Sequence, residues 1–409
     1  MLYKKNTSET LDDNLFLNPT CEYRGTPFWA WNNELDKQQL ARQIEYFKKM
    51  GLGGFHMHTR TGLATEYLSD EYMDMVRFCV DKAKEENMLA WLYDEDRWPS
   101  GSAGGIVTKD PRFRGRFMLV TDKILPVVDK QTAYENADTY LLAAFEIYLS
   151  EDGTMSDYKM IATDGTDLEN IKIAAQEKGA MSRFAYCCVK PFMTWYNGST
   201  YVDTLSKAAI DRFIEVTHEK YKKFVGDEFD KIVPAIFTDE PQFEMKSMLS
   251  SAMSTDDAKL PWTYDLDDTF MQTYGSDIKQ YIPELIWELP EGKISVNRYR
   301  YHDHVAERFA EAFADNIGKW CEDNGISLTG HVMEEPTLTS QTHSTGEAMR
   351  SYRSFTIPGM DLLCNLIELS TAKQVGSAVN QFGREAALSE LYGVSNWNED
   401  FRTYKFQGD

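Results

Sequence analysis

The sequence predicts an α/β fold: a (β/α)8 TIM-type barrel that stops before its eighth strand and carries an inserted antiparallel β subdomain. Three observations carry this reading. Short apolar runs of strand length alternate with amphipathic helical stripes across short links, which makes βαβ units and a parallel sheet. Four of those runs end in acids and then turn: Met88–Tyr93 into Asp94-Glu95-Asp96, Ile236–Thr238 into Asp239-Glu240-Pro241, Leu328–Met333 into Glu334-Glu335-Pro336, and Ala387–Ser389 into Glu390. Strands buried on both faces belong to parallel sheets, whose ligands gather at the carboxyl ends, and carboxylates are too costly to desolvate there without a partner or a task. A β-rich stretch then interrupts the alternation after the third strand.

The elements follow in order. Phe28–Trp31 reads as the first strand, and Asp36–Met50 as a helix with Leu40, Ile44, Phe47 and Met50 on its inner face and Gly51 as its stop. Gly53–His58 is the second strand. Ser69 caps a helix whose inner stripe is Met73, Val76, Val80 and Ala83, ending near Asn87. Met88–Tyr93 is the third strand. The rhythm breaks at about Pro111, and hairpin-like runs such as Tyr140–Leu149 and Phe184–Val189 follow. Helix Ser206–Val225 and strand Ile232–Thr238 restore it. Gln242–Pro261 reads as irregular, and a long helix spans Asn297–Asn324 with Val305, Phe309, Ala312 and Phe313 inside. Strands Ser327–Met333, Met360–Asn365 and Ala386–Leu391 complete seven. The expected organisation is an N-terminal extension (1–25), a first barrel part (26–116), the insertion (117–204) and a second barrel part (205–409). With no eighth strand, the first and seventh are expected to be open edges, as in a piece of a longer protein.

Composition narrows the function. Of 409 residues, 42% are apolar, enough for a large core, and the formal charge of −22 disfavours nucleic acid and anionic membranes, which need a basic footprint. No long apolar run or secretion-type leader is visible, so the expectation is a soluble, cytoplasmic protein. Cys21, Cys79, Cys187, Cys188, Cys321 and Cys364 are scattered without a CxxC pair, and because Cys79 and Cys321 lie within helical patterns, buried thiols are expected rather than bridges.

Glu240 is the leading chemical candidate: it follows a buried strand, Pro241 fixes the turn, and partial desolvation would keep the proton that a general acid donates. Glu390 and Glu335 compete to be the second carboxylate that glycoside hydrolysis requires. Because a pleat points neighbours opposite ways, only one of Glu334 and Glu335, and one of Asp94 and Glu95, is expected in the pocket. Asp94 and Glu95 suit hydroxyl binding or cation ligation, with a salt bridge to Arg97 as the plainer reading, and Asp239 is expected among the substrate contacts. Trp31, Trp98 and Trp397 at strand ends offer indole faces for sugar C–H surfaces, whereas Trp29 reads as core. Asn32, His58, His331 and Tyr392 complete the expected substrate contacts. His56 and His58 form an H-x-H pair on one strand face, the arrangement of a zinc-dependent barrel hydrolase, which is the rival reading. A non-catalytic carbohydrate-binding protein, or an inactive fragment, is the rival from another class.

Taken together, Phe28-Trp29-Ala30-Trp31-Asn32, Gly53-Gly54-Phe55-His56-Met57-His58, Tyr93–Gly101, Thr238-Asp239-Glu240-Pro241, Gly330-His331 with Glu335, and Ser389-Glu390-Leu391-Tyr392-Gly393 resemble bacterial glycosyl hydrolases of glycoside hydrolase family 106, the α-L-rhamnosidases. The likeness runs from about Thr26 to the end, apart from most of the insertion. It implies a barrel catalytic domain, a carbohydrate substrate of the α-L-rhamnoside type, and an inverting mechanism with Glu240 as acid and Glu390 as base. Glu335 matches a recurrent position. The resemblance also implies a calcium ion beside the sugar, and further C-terminal domains in the full-length protein.

Overall fold

A computed structural model describes residues 2–5, 7–363 and 368–408. The chain enters its main sheet at β1 (Phe28–Trp31). Asp36 then caps helix Lys37–Lys49 by accepting from the Gln39 amide at 2.9 Å, and Leu40 and Ile44 are buried. Met50, expected on the inner stripe, is instead the C-cap and lies exposed, because the helix already ends there. β2 (Gly54–Thr59) is buried throughout. Ser69 caps helix Asp70–Glu86, whose stripe of Met73, Val76, Val80 and Ala83 is fully buried. At about 1.5–3 kcal/mol for each fully buried large apolar side chain, that stripe fixes the helix on the sheet. β3 (Leu89–Tyr93) follows, then the antiparallel strands β4 (Arg116–Thr121), β5 (Tyr140–Leu149), β6 (Met155–Ala162) and β7 (Met181–Val189).

The alternation resumes with helical turns over 207–225 and β8 (Ala235–Asp239). β9 (Ala258–Pro261) comes from the stretch read as irregular and pairs antiparallel with β4, placing Phe117 opposite Pro261. Helical turns over 296–324 lead to β10 (Ser327–His331), then β11 (Ile357–Leu362) and β12 (Leu388–Leu391). The strand expected at Met360–Asn365 thus begins at Ile357. It takes in Pro358 and Gly359, since a proline is tolerated near a strand start. Cys364 and Asn365 lie outside the described residues.

The two sheets have the orders β1-β2-β3-β8-β10-β11-β12, all parallel and curled, and β6-β5-β7-β4-β9. Among the described residues, β1 pairs only with β2 and β12 only with β11, so the parallel sheet is open at both edges. One face of β1 and β2 carries Trp29, Trp31, Phe55 and Met57 into the helix-covered core. The other face carries rings inward: Phe28 meets Phe237 and His56 at 5.0 Å, and Phe237 meets His331 at 5.5 Å. This aromatic layer is the floor beneath the carboxyl ends.

Candidate active site

Register brings the polar side chains together. His331 pairs with Asp239 across β10 and β8, and Asp361 pairs with Glu390 across β11 and β12. The close approach of β10 to β8 needs Gly330: at φ +121°, a Cβ there would sit 1.8 Å from the Thr238 carbonyl oxygen. Above the aromatic floor opens a cavity of about 480 Å³, lined among others by His58, Arg60, Trp98, Asp239, Glu240, Glu334, Glu335, Asp361, Glu368 and Glu390.

His331 is the hub. Its Nε2 lies 2.9 Å from a Glu390 oxygen and 3.7 Å from Asp239 Oδ1. Burial pulls the imidazole's pKa down, but the hydrogen bond and charge of Glu390, with the charges of Asp239 and Glu335, outweigh it and hold it well above the ordinary value. His331 is therefore an imidazolium among acids. Asp239 accepts from the Tyr93 hydroxyl at 2.5 Å, and burial raises it to about 6 against the pull of His331.

Glu240 enters the cavity through a backbone twist. After β8 the residue adopts φ +46°, which breaks the alternation that would turn it away from Asp239, and its amide donates to the His331 carbonyl at 3.1 Å. Its carboxyl group makes no hydrogen bond to any described residue. Burial is the largest influence on it and raises its pKa to about 8, with His331 opposing and Asp239, Asp361 and Glu390 adding to the rise. Glu335 accepts from the Asp361 amide at 3.1 Å, leaves Oε1 buried and unpartnered, and is likewise raised to about 8 by burial. Asp361 is raised to about 7, again mainly by burial, and its Oδ1 is unpartnered.

The cavity gathers Glu240, Glu335, Glu390, Asp239, His58 and Trp98, with His331 hydrogen-bonded at its wall. Other expected residues fall elsewhere. Trp31 belongs to the outward face of β1 and packs on Trp29 and Tyr72. Asn32 is exposed and off the cavity wall, while Tyr392 is exposed against Tyr404, and Gly393 and Val394 after it reach the cavity instead. Trp397 is wholly exposed.

Asp94 and Glu95 are both buried, and neither lines the cavity. Asp94 accepts from Ser100 Oγ at 2.5 Å, and Glu95 accepts the backbone amides of Asp96, Gly101, Ser102, Ala103 and Gly104. Arg97 pairs with Asp96 rather than with either of them. Glu334 and Glu335, expected to diverge, both line the cavity, because Glu334 has left the strand at φ +60°.

Among the described residues, His56 and His58 belong to no cluster of side chains placed to hold a metal ion. His56 stacks on Trp91 and His58 packs on Phe28 and Tyr93, and burial lowers both to about 3. Among the described residues, the clusters able to hold a cation centre on His331: one with Asp239 and Glu390, the other with Glu240 and Asp361. Asp361, Arg60 and Glu368 are the cavity residues that sequence reasoning missed. Starting the sixth strand at Ile357 would have put Asp361 at its carboxyl end, where the other acids had been sought.

No protein-family model matches the sequence, and no curated protein matches it. A solved structure, the rhamnosidase from Novosphingobium sp. PP1Y, superposes with a TM-score of 0.59 at 14% identity over 93% of this chain and 53% of that one. The chain thus spans about half the length of that rhamnosidase and shares its fold. The catalytic domain of β-amylase from Paenibacillus polymyxa gives a TM-score of 0.30 at 9% identity over 88% of this chain and 92% of that one, too loose a match to bear on the fold.

Proposed function

We propose that the protein is a glycoside hydrolase acting on an α-L-rhamnoside or a related deoxysugar glycoside, with its curled sheet forming seven strands of a (β/α)8 catalytic barrel. The observation that carries the reading is Glu240: a half-buried carboxyl group that makes no hydrogen bond to any described residue, faces a cavity and is raised by desolvation to about 8, so that it holds a proton at neutral pH. Glu240 is the general acid that protonates the departing glycosidic oxygen. Glu390 is the base: its hydrogen bond to His331 orients it to take a proton from water. The two carboxylates flank one imidazole, since a Glu240 oxygen lies within 4.8 Å of a His331 nitrogen. A water between them suits an inverting displacement, for which separations of roughly 6.5–9.5 Å are usual. Trp98 offers a stacking face, while His58 and Asp239 take hydroxyl groups. The rhamnosidase of the same fold and the strand-end motifs support the sugar class.

The calcium implied by the family resemblance finds fitting donors. Glu335 Oε1 and Asp361 Oδ1 are buried, unpartnered, hard oxygen atoms in one acidic wall. These two residues would hold the ion, which would supply a point of attachment for vicinal sugar hydroxyls.

A panel of nitrophenyl glycosides tests the assignment. Release of nitrophenol from the α-L-rhamnoside, abolished in Glu240→Gln and in Glu390→Gln, is the expected result. A panel with no turnover by a folded, monodisperse wild-type protein would overturn it.

A further inference from the structure

The cavity is divided by charge. The ends of β8, β10, β11 and β12, with the loops that follow them, supply all seven of its acids. The ends of β2 and β3 supply His58, Arg60 and Trp98, and no acid. The acids that the sequence places after β3 are withdrawn: Ser100 occupies Asp94, loop amides occupy Glu95, and Arg97 pairs with Asp96. Among the described residues, Arg60 is the sole lysine or arginine on the cavity wall. It is half-buried, and its guanidinium makes no hydrogen bond or ion pair to any described residue. Its charge is felt at Asp239, yet the two do not meet. An arginine held clear of seven nearby carboxylates is available to an anion from outside.

We propose that Arg60 and Trp98 form a subsite for an acidic sugar, one bearing a carboxylate or a sulfate, next to the sugar that is released. The proposal rests on the hydrolase reading of the same cavity. Guanidinium matches a carboxylate or sulfate through two parallel N–H···O bonds, while the indole stacks on the sugar's C–H face. Trp98 is braced for that role: its ring meets Trp195 at 5.8 Å, and Trp195 Nε1 donates to the Trp98 carbonyl at 2.7 Å. The chain's charge of −22 opposes an anion at long range. At physiological ionic strength the field of distant exposed charges is screened over about 8 Å, while the acids of the cavity oppose an anion at shorter range and confine it to the Arg60 side.

Calorimetry on the Glu240→Gln protein tests this with three probes: methyl α-D-galacturonoside, its neutral methyl ester, and methyl galactoside 6-sulfate. The acid or the sulfate is expected to bind about 10-fold tighter than the ester, the size of one charge-assisted pair. Arg60→Gln should bring that ratio to about one, and Arg60→Lys should leave it intermediate, with melting curves confirming that both variants fold. Preference for only one anion identifies the group recognised. Equal binding of all three probes, or a preference that survives Arg60→Gln, overturns the proposal. Turnover by the wild type is scored separately. Anion preference without turnover removes the hydrolase reading and leaves Arg60 its role, whereas turnover without anion preference does the reverse.

Discussion

Burial sets the chemistry of single residues here. Glu240, Glu335 and Asp361 sit above a floor of Phe28, Phe237 and Tyr93, with no arginine or lysine among the described residues paired to them, so each is raised far above the ordinary carboxylate range. For a proton donor the sign is simple. The active, protonated form of Glu240 exists below its pKa and is lost as pH rises through it. A cation held by Glu335 and Asp361 would lower that value, so the basic limb of the kcat profile is expected at or below about 8. A pH–rate profile whose activity still climbs above pH 9 would assign the donor's role to another group.

At the scale of elements, the loop after β3 is built around a carboxylate rather than lined by one for substrate. Glu95 collects five backbone amides from 96–104, and that loop carries Trp98 to the cavity. Glu95→Ala strands those donors. At about 1–3 kcal/mol for each buried group left unpaired, partly relieved by water, a loss on the order of 3 kcal/mol or more is expected from urea unfolding. Glu95→Ala with wild-type stability would contradict this role. The seven parallel strands were legible because buried apolar runs and capped helical stripes, such as Ser69 before Met73–Ala83, signal themselves locally. The strand-end acids were legible as a group for the same reason. Which acids enter the cavity was not. That depends on left-handed turns at Glu240 and Glu334, and on amides supplied by a loop several residues away, none of which leaves a mark at the acid itself. Trp31 was misplaced although its parity with Trp29 was readable, and Asp361 was hidden by a strand start set three residues late.

Across the whole molecule, the parallel sheet is strongest at its centre and weakest at its edges. β8 is bonded on both sides and wholly buried, whereas β12 is bonded on one side and part-exposed, and it carries Glu390. Hydrogen exchange should therefore be slowest in β8 and fastest in β12 and β1. Uniform protection across the sheet would show that the edges are covered in solution. The acidic wall makes a second prediction. Chelation should lower the melting temperature, calcium should restore it, and Glu335→Gln with Asp361→Asn should remove the response. An identical response in that double variant would place the ion elsewhere.

The most direct test of the central claim, that Glu240 is the proton donor of a glycosidase, compares leaving groups. Glu240→Gln and wild type are assayed on an alkyl or disaccharide glycoside and on the dinitrophenyl glycoside of the same sugar. Dinitrophenolate departs without a proton, so the account predicts a loss of about 10²–10⁴-fold on the first substrate and little on the second. Equal losses on both substrates, or undiminished cleavage of the alkyl glycoside, would contradict it.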